Sequence, residues 1–220
     1  RTDGKENLLT SIEIAAARDQ MGRPMVPEVC IFFESRLMRG NRTTKFNSEG
    51  FNAFRSFNMP SLAHAGIHIK YENYLIRHPR SGAAFTPHFL LDNNVLILTI
   101  FPGIRKEVVD ICVNVSGLRA VVLKTFGAGN APQKPWLVES IRHLVNQGVV
   151  VVNITQCFKG TVEMGRYETS LQLLQAGVVN GYDSTVEGML TKLMFLLGQG
   201  YSREEIIRLL NTNIAGEITL

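Results

Sequence analysis

The chain has 220 residues, 45% of them apolar, with a mean hydropathy of +0.06, enough to bury a substantial core as one large domain or two small ones. Its formal charge of +4 is mild, and Lys and Arg stand mostly singly among acidic residues, so charge points to no nucleic-acid and no membrane partner. Three cysteines, Cys30, Cys112 and Cys157, odd in number and without CxxC spacing, argue against a disulfide framework or a zinc site and for reduced thiols in a reducing, cytoplasmic compartment.

The opening Asp3-Gly-Lys-Glu6 has capping-box spacing and leads into Leu8, Leu9, Ile12, Ala15 and Ala16 at helical intervals, which predicts a helix. There is no signal-peptide pattern at the start, where the chain opens on Arg1. After Pro27, Val29-Cys-Ile-Phe-Phe33 reads as a buried strand. From Leu37 to about Leu91, Gly40, Gly50, Pro60, Gly66, Pro79, Gly82 and Pro87 break the pattern into loops, short strands and a connector.

Beyond about Asp92 the texture changes. Val95–Phe101, Ala120–Thr125 and Val149–Ile154 read as buried strands, separated by amphipathic helices over Lys106–Cys112 and Pro135–Asn146. Alternation of this kind predicts βαβ units and a parallel sheet covered by helices. The longest apolar runs are too short to span a bilayer. Near the end, Ser184-x-x-Glu187 and Ser202-x-x-Glu205 cap two further helices. The first carries a stripe of Val186, Met189, Leu190, Leu193, Met194 and Leu197, which reads as core packing. These patterns place a domain boundary near residue 90, with 1–90 the remaining part of one domain plus a connector and 91–220 an α/β domain.

Three segments carry candidate chemistry. Arg39-Gly-Asn-Arg-Thr-Thr-Lys45 is rich in donors and hydroxyls, and could hold an anion, supply a catalytic lysine or be a solvated basic turn. Lys124-Thr-Phe-Gly-Ala-Gly-Asn-Ala-Pro132 lies between a strand and a helix, where backbone N–H groups can meet a carboxylate or phosphate. A dinucleotide site fits poorly, because Pro132 takes the third glycine position of GxGxxG and no ribose-binding acid ends the next strand. A structural turn and a small-ligand contact both stay open. Asn153-Ile-Thr-Gln-Cys157 puts polar residues at the C-terminal end of an apolar strand, the edge where open parallel sheets bind ligands. Cys157 could be a nucleophile, but no histidine spacing suggests a Cys/His pair, and a buried or regulatory thiol suits it better. HExxH, GxSxG, Walker A and paired-Cys signals are absent, and the five histidines are isolated. No metal and no cofactor is therefore expected.

Taken in order, Val26-Pro-Glu-Val-Cys30, Arg39 to Lys45, Ala53-Phe-Arg-Ser56, Gly127-Ala-Gly-Asn-Ala-Pro132, Val150 to Cys157 and Thr185-Val-Glu-x-x-Leu-Thr-Lys192 resemble the type I, cytoplasmic-class bacterial L-asparaginases. The resemblance runs over essentially the whole chain, and it implies the asparaginase-like two-domain α/β fold, parallel sheets covered by helices, with the N-terminal domain incomplete. Arg1-Thr-Asp-Gly-Lys-Glu-Asn-Leu8 resembles the point where family members leave the fourth-strand region of that domain, so roughly the first third of the family chain is expected to be missing.

The implied activity is hydrolysis of L-asparagine to L-aspartate and ammonia through a threonine nucleophile, in a homodimer or homotetramer. Family members carry threonines in TGGT and DGTDT segments, and neither occurs in this sequence. The chain alone is accordingly expected to be inactive. The resemblance makes Lys45 the catalytic lysine, a base once burial or a nearby cation lowers its pKa. It makes Asn130 a substrate contact reaching across a dimer. It also gives Thr44, Lys124 and Cys157 as a regulatory asparagine site, with the departure that Lys124 stands where arginine is usual, a point charge in place of a bidentate fork. Two other readings are a non-catalytic binding or regulatory module of the same fold, and an asparaginase-like subunit of a tRNA-dependent amidotransferase.

Overall fold

A computed structural model describes residues 3–79 and 84–220. Arg1 and Thr2 of the opening segment, and Gly82 of the irregular stretch, lie outside the described residues. The chain divides into two units, Arg1–Pro87 and His88–Leu220.

In the first unit, helix α1 (Gly4–Ala16) precedes a four-stranded sheet in the order β1 (Cys30–Phe33), β2 (Arg36–Arg39), β5 (Ala63–Ala65), β6 (Ile69–Tyr71), with the pair β3 (Thr44–Lys45) and β4 (Phe54–Arg55) beside it in sequence. Every pairing in this unit is antiparallel, unlike the parallel arrangement expected of both sheets. β1 is a half-buried edge strand, not a buried one, and Val29 is exposed. A two-residue turn at Glu34 (φ 48°) and Ser35 (φ 61°) joins β1 to β2. Positive φ at both positions gives the ladder the right-handed twist of its strands.

Helix α1 begins where expected but is capped differently. Asp3 has helical angles and no capping bond to the backbone; its carboxylate accepts from Asn7 Nδ2 at 2.9 Å. Leu8, Leu9 and Ile12 are exposed, and the helix buries Ile14 against Leu37, Leu62, Ala63 and Ile76. At about 100° per residue, Ile14 lies roughly 200° around the axis from Ile12, so the buried stripe is nearly opposite the one the spacing suggested.

The second unit holds the parallel sheet, in the order β10 (Val179–Asn180), β9 (Val150–Thr155), β8 (Ala120–Thr125), β7 (Val95–Thr99). Successive strands step in one direction, so crossovers of one hand place their helices on one face. Helices α2 (Lys106–Val113), α3 (Pro135–Asn146) and α4 (Glu168–Gln175) bury Val109, Val113, Leu137, Ile141, Leu144 and Leu173 there, against Val121, Leu123 and Val151. The opposite residues of the same strands, Ala120, Val122, Val150, Val152 and Ile154, meet Met189, Leu193, Leu196, Leu197, Ile206 and Leu210 of α5 (Val186–Gly198) and α6 (Arg203–Leu210). Burial on both faces produces the unbroken Val-rich runs in the sequence.

Two details differ from expectation. The α5 cap is Thr185, whose Oγ1 accepts from Gly188 N at 3.0 Å, while the Ser184 hydroxyl is buried without a hydrogen-bond partner. The stripe of α5 is core as expected for Met189, Leu193 and Leu197, but it also buries Lys192, whose Nζ lies 2.6 Å from Glu217 Oε1. Ser202 does cap α6, accepting from Glu205 N at 3.2 Å.

Candidate active site

The basic segment after β1 is not a solvated turn. Arg39 ends β2 and is buried; its guanidinium forks onto Glu28, Nε to Oε2 at 2.5 Å and Nη2 to Oε1 at 3.0 Å, with side chains 7% and 8% exposed. The same guanidinium donates to Leu75 O at 2.8 Å, and Glu28 accepts Arg77 N at 2.7 Å. A bidentate pair with further donors and acceptors is the arrangement in which buried charge is tolerated. The 3-10 turn Gly40–Arg42 follows, with Arg42 buried and donating to Asn58 O at 3.3 Å, and Thr43 Oγ1 donating to Arg39 O at 2.7 Å. Two arginines of the motif are thus scaffold.

That scaffold delivers Thr44 and Lys45 as β3, paired with Arg55 and Phe54. Lys45 is exposed, with Nζ 5.8 Å from the Phe54 ring centroid, and Phe54 stacks edge-on with Phe33 at 5.3 Å. Arg55 lies over the rings of Phe46 and Phe57 at 5.9 and 5.7 Å. Thr44 is half-buried.

In the second unit the ends of β8 and β9 carry a polar network. Thr125 Oγ1 donates to Asn153 Oδ1 at 2.7 Å, Asn153 Nδ2 donates to Gly129 O at 3.0 Å, and Thr155 Oγ1 donates to Gly127 O. Gln156 spans the ends of two strands, donating to Ile100 O at 2.6 Å and Lys124 O at 3.0 Å. These bonds hold the turn Gly127-Ala-Gly-Asn130 over the C-terminal edge of the sheet, where parallel sheets present ligand-binding loops. Phe126 and Asn130 exchange two backbone bonds of 2.8 Å across the turn. Gly129 adopts φ 106°, and a Cβ there would sit 2.7 Å from Val162 Cγ1 and 3.1 Å from Asn153 Nδ2. Only glycine meets both the angle and the close approach.

Asn130 is half-buried, and Thr169 Oγ1 of α4 donates to its Oδ1 at 3.1 Å. That bond uses one of the two acceptor positions of the amide oxygen and fixes the orientation of the side chain. Lys124, half-buried, sits near the end of β8, and Cys157 follows β9 as an exposed free thiol, not a buried one. Cys157 N is held by Thr155 Oγ1 at 3.0 Å. Within the units, then, the structure groups Thr44 with Lys45, and Lys124, Asn130 and Cys157 along one sheet edge. Sequence reasoning missed Thr169, which follows Asn130 by 39 positions, and no local pattern signals it. It also missed the strut role of Gln156. Among the described residues no group of three or more His, Cys, Asp or Glu is placed to hold a metal ion, and no helix is long and apolar enough to cross a membrane.

Comparison with known proteins puts these elements in one family. The chain matches the Glutaminase/Asparaginase C-terminal domain over residues 94–210 and the N-terminal Asparaginase domain over residues 1–77. It belongs to the asparaginase family. L-asparaginase 1 of Escherichia coli strain K12 is 40% identical over 219 residues, which cover 100% of this chain and 62% of that protein. The crystal structure of L-asparaginase I from Vibrio cholerae superposes with a TM-score of 0.89 at 38% identity, covering 100% of this chain and 64% of that one. The chain is also similar to the 60 kDa lysophospholipase of Mus musculus, 38% identical over 220 residues, which cover 100% of this chain and 38% of that protein. The chain therefore spans about three-fifths of the two asparaginases.

Proposed function

We propose that these residues form part of an L-asparaginase, hydrolysing L-asparagine to L-aspartate and ammonia. The observation that carries the reading is the match to both asparaginase domains along nearly the whole chain, at 40% identity to a protein named L-asparaginase 1. In this reading Lys45 takes the proton of a threonine hydroxyl, which is a poor nucleophile until a base acts on it. That threonine lies outside these 220 residues, since neither threonine motif of the resemblance occurs in them. Asn130, its amide held by Thr169, contacts the bound amino acid across a homodimer interface, within a dimer or tetramer of the cytoplasm. Thr44, Lys124 and Cys157 form a regulatory asparagine site, and residues 1–90 and 91–220 are the remaining N-terminal part and the C-terminal domain.

Ammonia release from asparagine tests the reading. The 220-residue chain alone releases none, while the natural polypeptide that carries it turns over, and its Lys45→Met variant binds asparagine without releasing ammonia. No release by the natural polypeptide at millimolar asparagine would refute the activity, and full activity of Lys45→Met would refute the role of the lysine.

A further inference from the structure

Strand β9 runs Val150-Val-Val-Asn-Ile-Thr155 with every residue buried, and an amide interrupts its apolar side chains. Asn153 is 0% exposed, on the same face of the sheet as Val151. The ladder to β8, in which Asn153 stands opposite Leu123, is made by the backbone, so strand pairing calls for no amide here. Burying one is costly unless its polar atoms are met. Both are: Oδ1 accepts from Thr125 Oγ1 at 2.7 Å, and Nδ2 donates to Gly129 O at 3.0 Å and to Met164 Sδ at 3.2 Å.

The two acceptors belong to the two segments that bring Asn130 and Thr169 together. Gly129 directly precedes Asn130 in the turn, and Met164 lies in the segment that leads into α4, the helix that carries Thr169. The segments also meet through their backbones, with Glu163 N donating to Ala128 O at 2.9 Å. Thr155 ties the first glycine of the turn to the sheet, through Gly127 O, and Asn153 ties the second, through Gly129 O. The Asn153 amide, fixed on a strand, is thus a common anchor for both loops. A network of this kind, buried and satisfied, holds its members in one arrangement.

We infer that Asn153 is a positioning residue for Asn130. Through Gly129 O it sets where the turn lies over the sheet, and through Met164 Sδ it sets the approach of the segment that leads to Thr169. The 3.1 Å bond from Thr169 Oγ1 to Asn130 Oδ1, which orients the Asn130 amide, depends on both placements. Asn153 is wholly buried and touches no ligand itself. Its effect on the turn stands on geometry alone; its effect on asparagine turnover rests on the asparaginase reading.

Asn153→Leu keeps a side chain of similar size and removes all three bonds. In the natural polypeptide, hydrogen exchange read by mass spectrometry should run about tenfold faster over residues 126–131, the effect of a buried carbonyl losing its donor, with α3 and α5 unchanged. KM for asparagine should rise about tenfold with kcat little changed, as when a contact made alike in ground and transition states is weakened. A role confined to stability would not couple to Asn130, so the double-mutant cycle separates the two. In the Asn130→Ala background, Asn153→Leu should raise KM by less than about twofold further. Asn153→Ser, too short to reach Gly129 O, carries the same comparisons if Asn153→Leu does not fold. Unchanged exchange over 126–131, acceleration spread over the whole unit, an unchanged KM, or KM effects that multiply in the double variant would each overturn the assignment. If the natural polypeptide releases no ammonia, the asparaginase reading falls and the exchange measurement alone decides whether Asn153 places the turn.

Discussion

Lys192→Met removes one member of a buried ion pair and should cost the second unit much of its stability. The side chains of Lys192 and Glu217 are 5% and 4% exposed, with Nζ 2.6 Å from Oε1. Nζ also donates to Thr212 O at 2.7 Å and Leu210 O at 3.3 Å, so its three protons meet three acceptors. Methionine keeps the length and loses the charge. Glu217 would keep its backbone donors, among them Ala215 N at 2.6 Å and Ile214 N at 3.2 Å, but lose the ammonium that balances its charge. Breaking such a pair from one side costs about 3–5 kcal/mol. Urea unfolding followed by fluorescence of the only tryptophan, Trp136 of α3, reads the unit in which the pair lies. The pH dependence supplies a second, independent sign. Burial alone would raise the Glu217 pKa, but the Lys192 ammonium and the backbone donors outweigh it and hold the carboxyl below its ordinary 4.5. A depressed folded pKa contributes stability that is present above 4.5 and is lost as pH falls through the folded value. In Lys192→Met the ammonium is gone and burial raises the same pKa, so acid stabilises the variant relative to the parent. The stability gap between the two should narrow from pH 7 towards pH 4. Replacing Glu217 as well, by Gln, should recover at least half of the loss at neutral pH. A loss under about 1 kcal/mol, or a gap that widens in acid, would refute the reasoning.

Four further outcomes follow from the site. Thr169→Val releases Asn130 Oδ1 at a cost of about 1 kcal/mol in binding, so steady-state kinetics of the natural polypeptide should show KM for asparagine raised about fivefold with kcat little changed; an unchanged KM would remove Thr169 from the site. Gly129→Ala, forced against Val162 and into φ 106°, should lower stability by about 1–3 kcal/mol, and a thermal midpoint equal to the parent's would contradict the geometry. Burial pushes the Cys30 thiol up to about 12 while Cys157 is exposed, so a thiol reagent at pH 7.5 should label Cys157 first and leave Cys30 silent in the folded protein; mass spectrometry of the labelled peptides decides. Lys45→Met in the natural polypeptide should abolish turnover while its circular dichroism spectrum stays that of the parent, because the side chain is exposed and no core contact is lost.

The second unit was legible because its strands are buried on both faces. Ala120–Thr125 and Val150–Thr155 read as apolar blocks between helices whose own stripes are regular. Where burial is slight the pattern fades: α4 buries only Ser170 and Leu173, and β10 has two residues, so neither rises above the irregular background. The first unit fails for a different reason. Its hairpin turns on Glu34-Ser35, which lacks the Asn-Gly signature, and the angle is imposed by the ladder on each side instead of by the turn residues. Capping shows how narrow the margin is, since Ser184 and Thr185 are adjacent hydroxyls and only the entry angle of the chain makes Thr185 the acceptor for Gly188 N. Site chemistry depends still more on distant partners. Arg39 reads as an anion ligand by composition, yet Glu28, eleven positions earlier, consumes its fork. Asn130 offers donor and acceptor alike by composition, yet Thr169, 39 positions later, takes one of its acceptor positions and orients the amide. In both cases residue type sets what a group can do, and a partner brought in by the fold decides which part of that capacity is left for a ligand.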